Sequence, residues 1–272
     1  MTTVMALVNS KGGVGKTTGV YNIAGILSEN SKVLILDFDK QRNSTYAFFN
    51  STKTPENSIY DVFFGKSFDE AVEETYFRHH GNANPKYFNV DIIAGDVRMK
   101  NDEELSKIDG ESLKERFYEF VDRVGYDWVL VDMPANSSAL DRICFNHIAS
   151  YILTPFTSDE FSVMGYGDLI NSVHAARTEN ISLNIVGAYL SRFSPNLSFD
   201  NHIKEETINS IGDYFINVQI PQTADIKETI AVGRPINYYK GKNNESRKAF
   251  ELLVEKIKER VETLNNQEVY DV

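Results

Sequence analysis

Residues 9–18 read Asn9-Ser10-Lys11-Gly12-Gly13-Val14-Gly15-Lys16-Thr17-Thr18. An apolar run, Val4-Met5-Ala6-Leu7-Val8, precedes them, and Val20 to Leu27 follows with helical spacing. Strand, glycine loop and helix form the context in which a loop cradles phosphate. Glycines let consecutive backbone N–H groups converge on phosphate oxygens, and the helix N-terminus adds its positive dipole end. The expected nucleotide-binding residues are therefore Gly12, Gly13, Val14, Gly15, Lys16, Thr17 and Thr18. Lys16 is placed to reach the β- and γ-phosphates, and the Thr17 hydroxyl to ligate Mg²⁺. The common spacing asks for glycine at position 10, where Ser10 stands, and Lys11 puts a second cation beside it.

Two further apolar strands end in acid. Lys32-Val33-Leu34-Ile35-Leu36-Asp37 is apolar in the manner of a parallel strand covered on both faces, and Phe38-Asp39 follows it. Ligands bind at the carboxyl ends of such strands, so these acids point toward the glycine loop. Tyr126-Asp127-Trp128-Val129-Leu130-Val131-Asp132-Met133-Pro134 is the second. Opposite a phosphate loop, Asp132 supplies the carboxylate that holds Mg²⁺, usually through water. Trp128 is expected in the core.

The rest of the chain alternates. A short helix with a glycine stop spans Asn57 to Gly65, an amphipathic segment runs from Ser67 to Thr75, and a polar loop from Tyr76 to Lys86 carries His79 and His80 without partners at metal-ligand spacing. Strands are expected at Phe88 to Gly95, Ala149 to Pro155, Leu183 to Leu190 and Phe215 to Pro221. Helices are expected at Ser112 to Val124, Ser158 to Thr178, Ile203 to Ile211 and Ser246 to Leu264. This pattern predicts an α/β fold: a mostly parallel twisted sheet with helices on both faces and right-handed crossovers, in one domain over residues 1–272.

With 272 residues, 42% hydrophobic and 25% charged, the composition is that of an ordinary soluble globular protein. Cys144 is the single cysteine, which excludes a disulfide framework and any metal or iron–sulfur site built from cysteines of one chain. The N-terminus has no signal-peptide pattern, and no run approaches the roughly 18 apolar residues of a membrane span. A cytoplasmic protein is expected. Net charge is −11, which disfavours indiscriminate binding to DNA or anionic lipid. The stretch Lys227 to Arg260 nevertheless holds nine Lys/Arg against five Asp/Glu, a local basic face on an acidic body.

Lys11-Gly12-Gly13-Val14-Gly15-Lys16-Thr17-Thr18 resembles the deviant Walker A motif of the ParA/MinD family of dimerising ATPases. The resemblance implies ATP/ADP and Mg²⁺ as cofactors, a weak intrinsic ATPase, and a homodimer with ATP in which Lys11 acts in trans on the partner's nucleotide, much as an arginine finger does. Asp39-Lys40-Gln41-Arg42-Asn43 aligns with the family's Asp-Pro-Gln-Gly-Asn, departing at Lys40 and Arg42. By that alignment Asp39 orients the attacking water and, with Lys11 and Lys16, forms the catalytic set. Met133 to Ser138 resembles the family's proline-containing switch segment, with Asn136 and Ser137 as candidate nucleotide sensors. Ile220-Pro221 matches the turn that lies against adenine, which adds Pro221 to the nucleotide-binding residues. Gly233-Arg234-Pro235-Ile236 leads to the closing helix.

In function the resemblance points to plasmid or chromosome partition, or to positioning of another large cargo along the nucleoid. It implies ATP dimers that bind DNA non-specifically and are stimulated by a ParB-type centromere-binding or adaptor protein. The chain looks like the short type without an N-terminal helix-turn-helix extension. Two of the family's usual arginines are absent: Gln222 follows the Ile-Pro pair, and Phe193-Ser194-Pro195-Asn196 occupies an arginine-containing turn. The candidate DNA contacts are instead Arg234, Lys240, Lys242, Arg247 and Lys248, interleaved with Tyr238 and Tyr239. Two alternatives stand beside this reading. A membrane-cycling positioner of the MinD kind needs an apolar-faced, basic C-terminal helix, whereas Thr263 to Val272 is polar and acidic. A metabolic P-loop enzyme would turn over ATP with a small molecule.

Overall fold

The computed structural model describes residues 2–49, 55–77, 86–157, 162–194 and 198–268. Its first half runs β1 (Thr3–Leu7), α1 (Lys16–Leu27), β2 (Val33–Asp37), α2 (Asn43–Phe49), α3 (Ile59–Phe63), α4 (Phe68–Ala71), β3 (Val72–Phe77), β4 (Lys86–Ile93), α5 (Asp102–Leu105) and α6 (Gly110–Val124). Then come β5 (Trp128–Asp132), α7 (Ser138–Ile143), β6 (Tyr151–Phe156), α8 (Ser162–Ala176), β7 (Asn184–Phe193), α9 (Ser198–Ile211), β8 (Phe215–Pro221), α10 (Ala224–Val232), α11 (Ile236–Tyr239) and α12 (Glu245–Glu268). A π-helical turn, Cys144–Ile148, continues α7.

The eight strands form one sheet in the order β3-β4-β2-β5-β1-β6-β7-β8. Every pairing is parallel except β3 with β4. Successive side chains of a strand point to opposite faces, and here both faces are buried. Val4, Ala6 and Val8 therefore enter one core, with Leu34, Leu36, Val129 and Val131 and with residues of α3, α6 and α7. Met5 and Leu7 enter the other, with Val33, Ile35, Trp128 and Leu130 and with residues of α1, α2 and α12. Each such aliphatic side chain contributes about 1.5–3 kcal/mol by leaving water, which holds the central strands immobile under the loops they carry. Trp128 packs in this second core as the sequence suggests.

Two outcomes differ from the sequence reading. The amphipathic segment after Ser67 is helical only at α4, where Ser67 caps the turn; Val72 then starts the antiparallel edge strand β3. Of the expected Tyr76–Lys86 loop, Tyr76 and Phe77 belong to β3 and Lys86 to β4, and residues 78–85, with His79 and His80, lie outside the described residues. Helices α9 and α12 also start before the expected Ile203 and Ser246.

What the topology does for a site is bring three strand ends together. Leu7 of β1 and Asp37 of β2 each lie in register with Asp132 of β5. The glycine loop after β1 thus starts directly beside the two strands that end in acid.

Candidate nucleotide site

The loop from Asn9 to Gly15 is pinned at both ends. Asn9 Nδ2 donates to Pro155 O at the end of β6 (2.9 Å), and its Oδ1 accepts the Lys11 N–H (2.9 Å). Gly15 caps α1 at φ +96°, a left-handed conformation that favours glycine; a Cβ there would also stand 3.1 Å from Ser191 Oγ on β7. Lys16 is buried, and its Nζ donates to Asn9 O (2.9 Å) and Lys11 O (3.0 Å). Burial lowers its pKa, while Asp132, Asp39 and Asp141 act in the opposite sense. A lysine short of solvation at the mouth of a helix is primed for an anionic partner.

Beneath the loop lies an acid pair. Asp132 is buried, and its Oδ2 accepts hydrogen bonds from Thr17 Oγ1 and Ser44 Oγ, both at 2.8 Å. Its Oδ1 is buried without a partner among the described residues. Asp37, fully buried beside it, accepts from Thr45 N (2.8 Å) and Thr45 Oγ1 (2.7 Å), and its other oxygen accepts Asp39 N–H (3.0 Å). Burial raises the pKa of both carboxyls, and proximity to Asp132 raises that of Asp37 further.

A cavity of about 650 Å³ opens above this floor, within the usual size range of small-ligand sites. Gly12, Gly13, Gly15, Lys16, Thr17, Thr18 and Asp39 line its polar end; Ile220, Pro221, Ile226, Ile230 and Phe250 line an apolar end. Asp39 keeps its carboxylate at the cavity while Oδ1 accepts the Gln41 N–H (2.9 Å). The donor set fits Mg²⁺. An orphaned, buried carboxylate oxygen and an adjacent hydroxyl offer hard oxygens for an ion that prefers one or two carboxylates plus phosphate.

Three predicted residues sit elsewhere. Val14 is buried under the loop, where its carbonyl accepts from Ser191 Oγ. Lys11 borders a different cavity, on the other side of the loop, and not the one above its own chain's acids. Ser137 is a helix cap: its hydroxyl accepts from Leu140 N and donates to Asp102 Oδ1. Asn136, with its amide nitrogen turned toward the loop, donates to Ser10 O (3.2 Å) and lines both cavities.

The sequence reading missed Ser44, Thr45 and Tyr189, which come from α2 and β7 and have no motif of their own. It did not assign Arg192 to this site, although Arg192 takes φ +56° and donates Nη1 to Gly13 O at 3.0 Å.

The domain over residues 2–185 matches the family model described as "AAA domain". The chain belongs to this family. Within it the chain is a P-loop ATPase of the ParA/MinD type. It is 26% identical over 239 residues to the chromosome-partitioning ATPase Soj of Treponema pallidum, covering 86% of this chain and 89% of that one. The fold matches apo McdA of Cyanothece with a TM-score of 0.77 at 17% identity, over 96% and 100% of the two chains. It also matches cobyrinic acid a,c-diamide synthase of Mycobacterium smegmatis, solved with bound ADP and magnesium, with a TM-score of 0.75 at 18% identity over 94% and 93%.

The basic residues expected to meet DNA are distributed unlike a phosphate-binding face on this AAA-family chain. Arg247 is 7% exposed, and its guanidinium donates to Asn237 O (2.7 Å), Lys240 O (3.2 Å) and Glu251 Oε1 (2.7 Å). It clamps α12 to α11, and its burial leaves little of it for a duplex to reach. Lys240 pairs with Asp225 at 2.8 Å and stacks on Tyr239. Arg234 is half-buried near Tyr21. Lys242 and Lys248 are exposed.

Proposed function

We propose that the chain is an ATP-driven assembly switch: it binds ATP in the cavity over Asp132, dimerises through the loop face, and hydrolyses ATP to reset, so partitioning DNA or positioning another cargo. The observation that carries this reading is the division of the two lysines. Lys16 and Thr17 line one cavity, with Asp132 bonded to Thr17 beneath it, and Lys11, from the same loop, lines another. A cation that lines no part of its own chain's nucleotide cavity fits a role at a second subunit's.

In the proposed reaction Lys16 leaves its two carbonyl partners for the β- and γ-phosphate oxygens. Backbone N–H groups of Gly12 to Thr18 complete the phosphate cradle. Thr17 and Asp132 would hold Mg²⁺, which supplies charge neutralisation on the phosphates. Asp39, at the cavity's polar end, aligns the water for in-line attack. The partner subunit's contribution is a cation at the developing charge, a contact that in related phosphoryl transfer is worth about 10³–10⁵ in rate. The apolar end, with Pro221 and Ile220, receives the base. DNA and a ParB-type stimulator are the proposed partners. No described helix is long and apolar enough to cross a membrane.

Sizing by light scattering with ADP and with ATP, on wild type, Lys11→Ala and Asp39→Ala, tests the reading. Wild type is expected to dimerise with ATP only. Lys11→Ala should lose hydrolysis by at least about a hundredfold. Asp39→Ala should accumulate as the ATP dimer, because it keeps phosphate and metal contacts. A wild type that stays monomeric with ATP, or a Lys11→Ala chain that hydrolyses normally, would refute it.

A further inference from the structure

Two consecutive residues of β7 hold two consecutive carbonyls of the glycine loop. Ser191 is buried and donates its Oγ–H to Val14 O, and Arg192 donates Nη1 to Gly13 O at 3.0 Å. Neighbours along a strand point to opposite faces, so both can reach one loop only where the strand is interrupted. The interruption is a bulge. From Leu190 to Phe193 β7 advances three residues, while β8 advances two, from Gln219 to Pro221. Within it Arg192 takes φ +56°. Bulges re-aim side chains, and glycine would adopt this backbone without strain, so what arginine adds at position 192 is its side chain.

These bonds bear on the phosphate-binding groups through the peptide planes. A trans peptide is planar, and its C=O and N–H point in opposite directions. Gly13 O shares a plane with Val14 N–H, and Val14 O shares one with Gly15 N–H. Anchoring the two carbonyls therefore sets the direction of two amides. Neither amide donates to a protein group among the described residues. Gly13 and Gly15, at φ +79° and φ +96°, have no side chains with which to hold those planes themselves. The grip on them comes from β7, whose Ser191 Oγ would stand 3.1 Å from a Cβ at Gly15.

We infer that Ser191 and Arg192 are positioning residues of the phosphate cradle: they preset the Val14 and Gly15 N–H groups for a polyphosphate. This role presupposes that the cavity over Asp132, which both residues line, takes the nucleotide. Donors ordered beforehand lose less freedom on binding. ADP and ATP gain alike, so loss of the grip falls on KM more than on kcat.

Competition against a fluorescent ADP analogue on the full chain tests this, with Mg²⁺-ADP and Mg²⁺-pyrophosphate as the competitors. Ser191→Ala and Arg192→Met should each weaken both competitors by about three- to tenfold. The factor for Arg192→Met should be the same at about 50 and 300 mM salt, because the bond to Gly13 O involves no second charge. Arg192→Gly separates grip from folding: it relieves the backbone and still lacks the donor. It should be at least as stable to denaturant as Arg192→Met and bind ADP no better. Unchanged ADP affinity in Ser191→Ala and Arg192→Met overturns the inference. So does a loss that spares pyrophosphate, which would make the contact one to the base, or a loss that shrinks with salt, which would make Arg192 a direct phosphate ligand. An Arg192→Gly chain that regains affinity together with stability overturns it as well. A wild type that binds no ADP would instead refute the nucleotide site itself.

Discussion

Among the described residues, no donor reaches the Asp141 carboxylate. Its carboxyl is pushed up to about 6, first by burial and then by Asp102. The folded chain therefore keeps this proton to a higher pH than the unfolded chain, which releases it near 3.8. Between those values the folded state binds more protons, so stability falls as pH rises from about 4 to about 6 and levels off above. The effect is at most about 3 kcal/mol, and less where water reaches the carboxylate. Asp141→Asn should remove it: denaturant midpoints of variant and wild type should diverge, in the variant's favour, from pH 4 to pH 6.5. Midpoints that run parallel would contradict the assignment. Nothing in the sequence marked Asp141, because its character comes from burial and from Asp102. Asp39, Asp132 and the residues of the glycine loop were legible for the opposite reason: each is tied to a strand end or to a spacing that chemistry requires. Arg42 lies between these cases. It departs from the family's glycine, and the backbone there takes φ +57°, the conformation glycine enters without strain.

At the level of elements, α12 shows how charge misleads when burial is unknown. Read as letters, Arg247-Lys248 is a basic pair at a helix start. In the structure Arg247 faces inward, with Glu29 and Glu251 as its acids, and Lys248 faces outward. Arg247→Ala should cost about 2–4 kcal/mol in chemical denaturation, because it strands the carbonyls of Asn237 and Lys240 and the two carboxylates. Lys248→Ala should change stability by less than about 0.5 kcal/mol. Equal effects from the two would show that the clamp is not formed. Strand β3 was hidden by a related ambiguity. Val72-Glu73-Glu74-Thr75 follows a genuine helical turn and carries two adjacent acids, so neither a period of two nor a period of 3.6 stands out. Its strand character comes from pairing with β4, a tertiary contact. The central strands had no such competition, being apolar on both faces.

Across the whole molecule, a chain of net charge −11 has to bind an anionic polymer through a small surface if it binds one at all. With Arg247 buried and Lys240 held by Asp225, the exposed cations left from the candidate set are Lys242 and Lys248. Duplex binding by the ATP form should then be weak and steeply salt-dependent, falling roughly tenfold or more between about 50 and 200 mM salt. Replacing both lysines by alanine should flatten the logarithmic salt slope by about 2. An unchanged slope would place the DNA contact elsewhere, and gel shifts without binding at low salt would remove DNA from the proposed partners. The sheet itself sets a limit on larger assemblies. Its outer strand β3 runs against its neighbour, breaks register between Glu74 and Tyr76, and presents Glu73 and Glu74. A kinked, acidic border is a poor template for another strand. On that side of the sheet any filament contact must therefore run through loops and helices, since the border cannot be extended strand by strand.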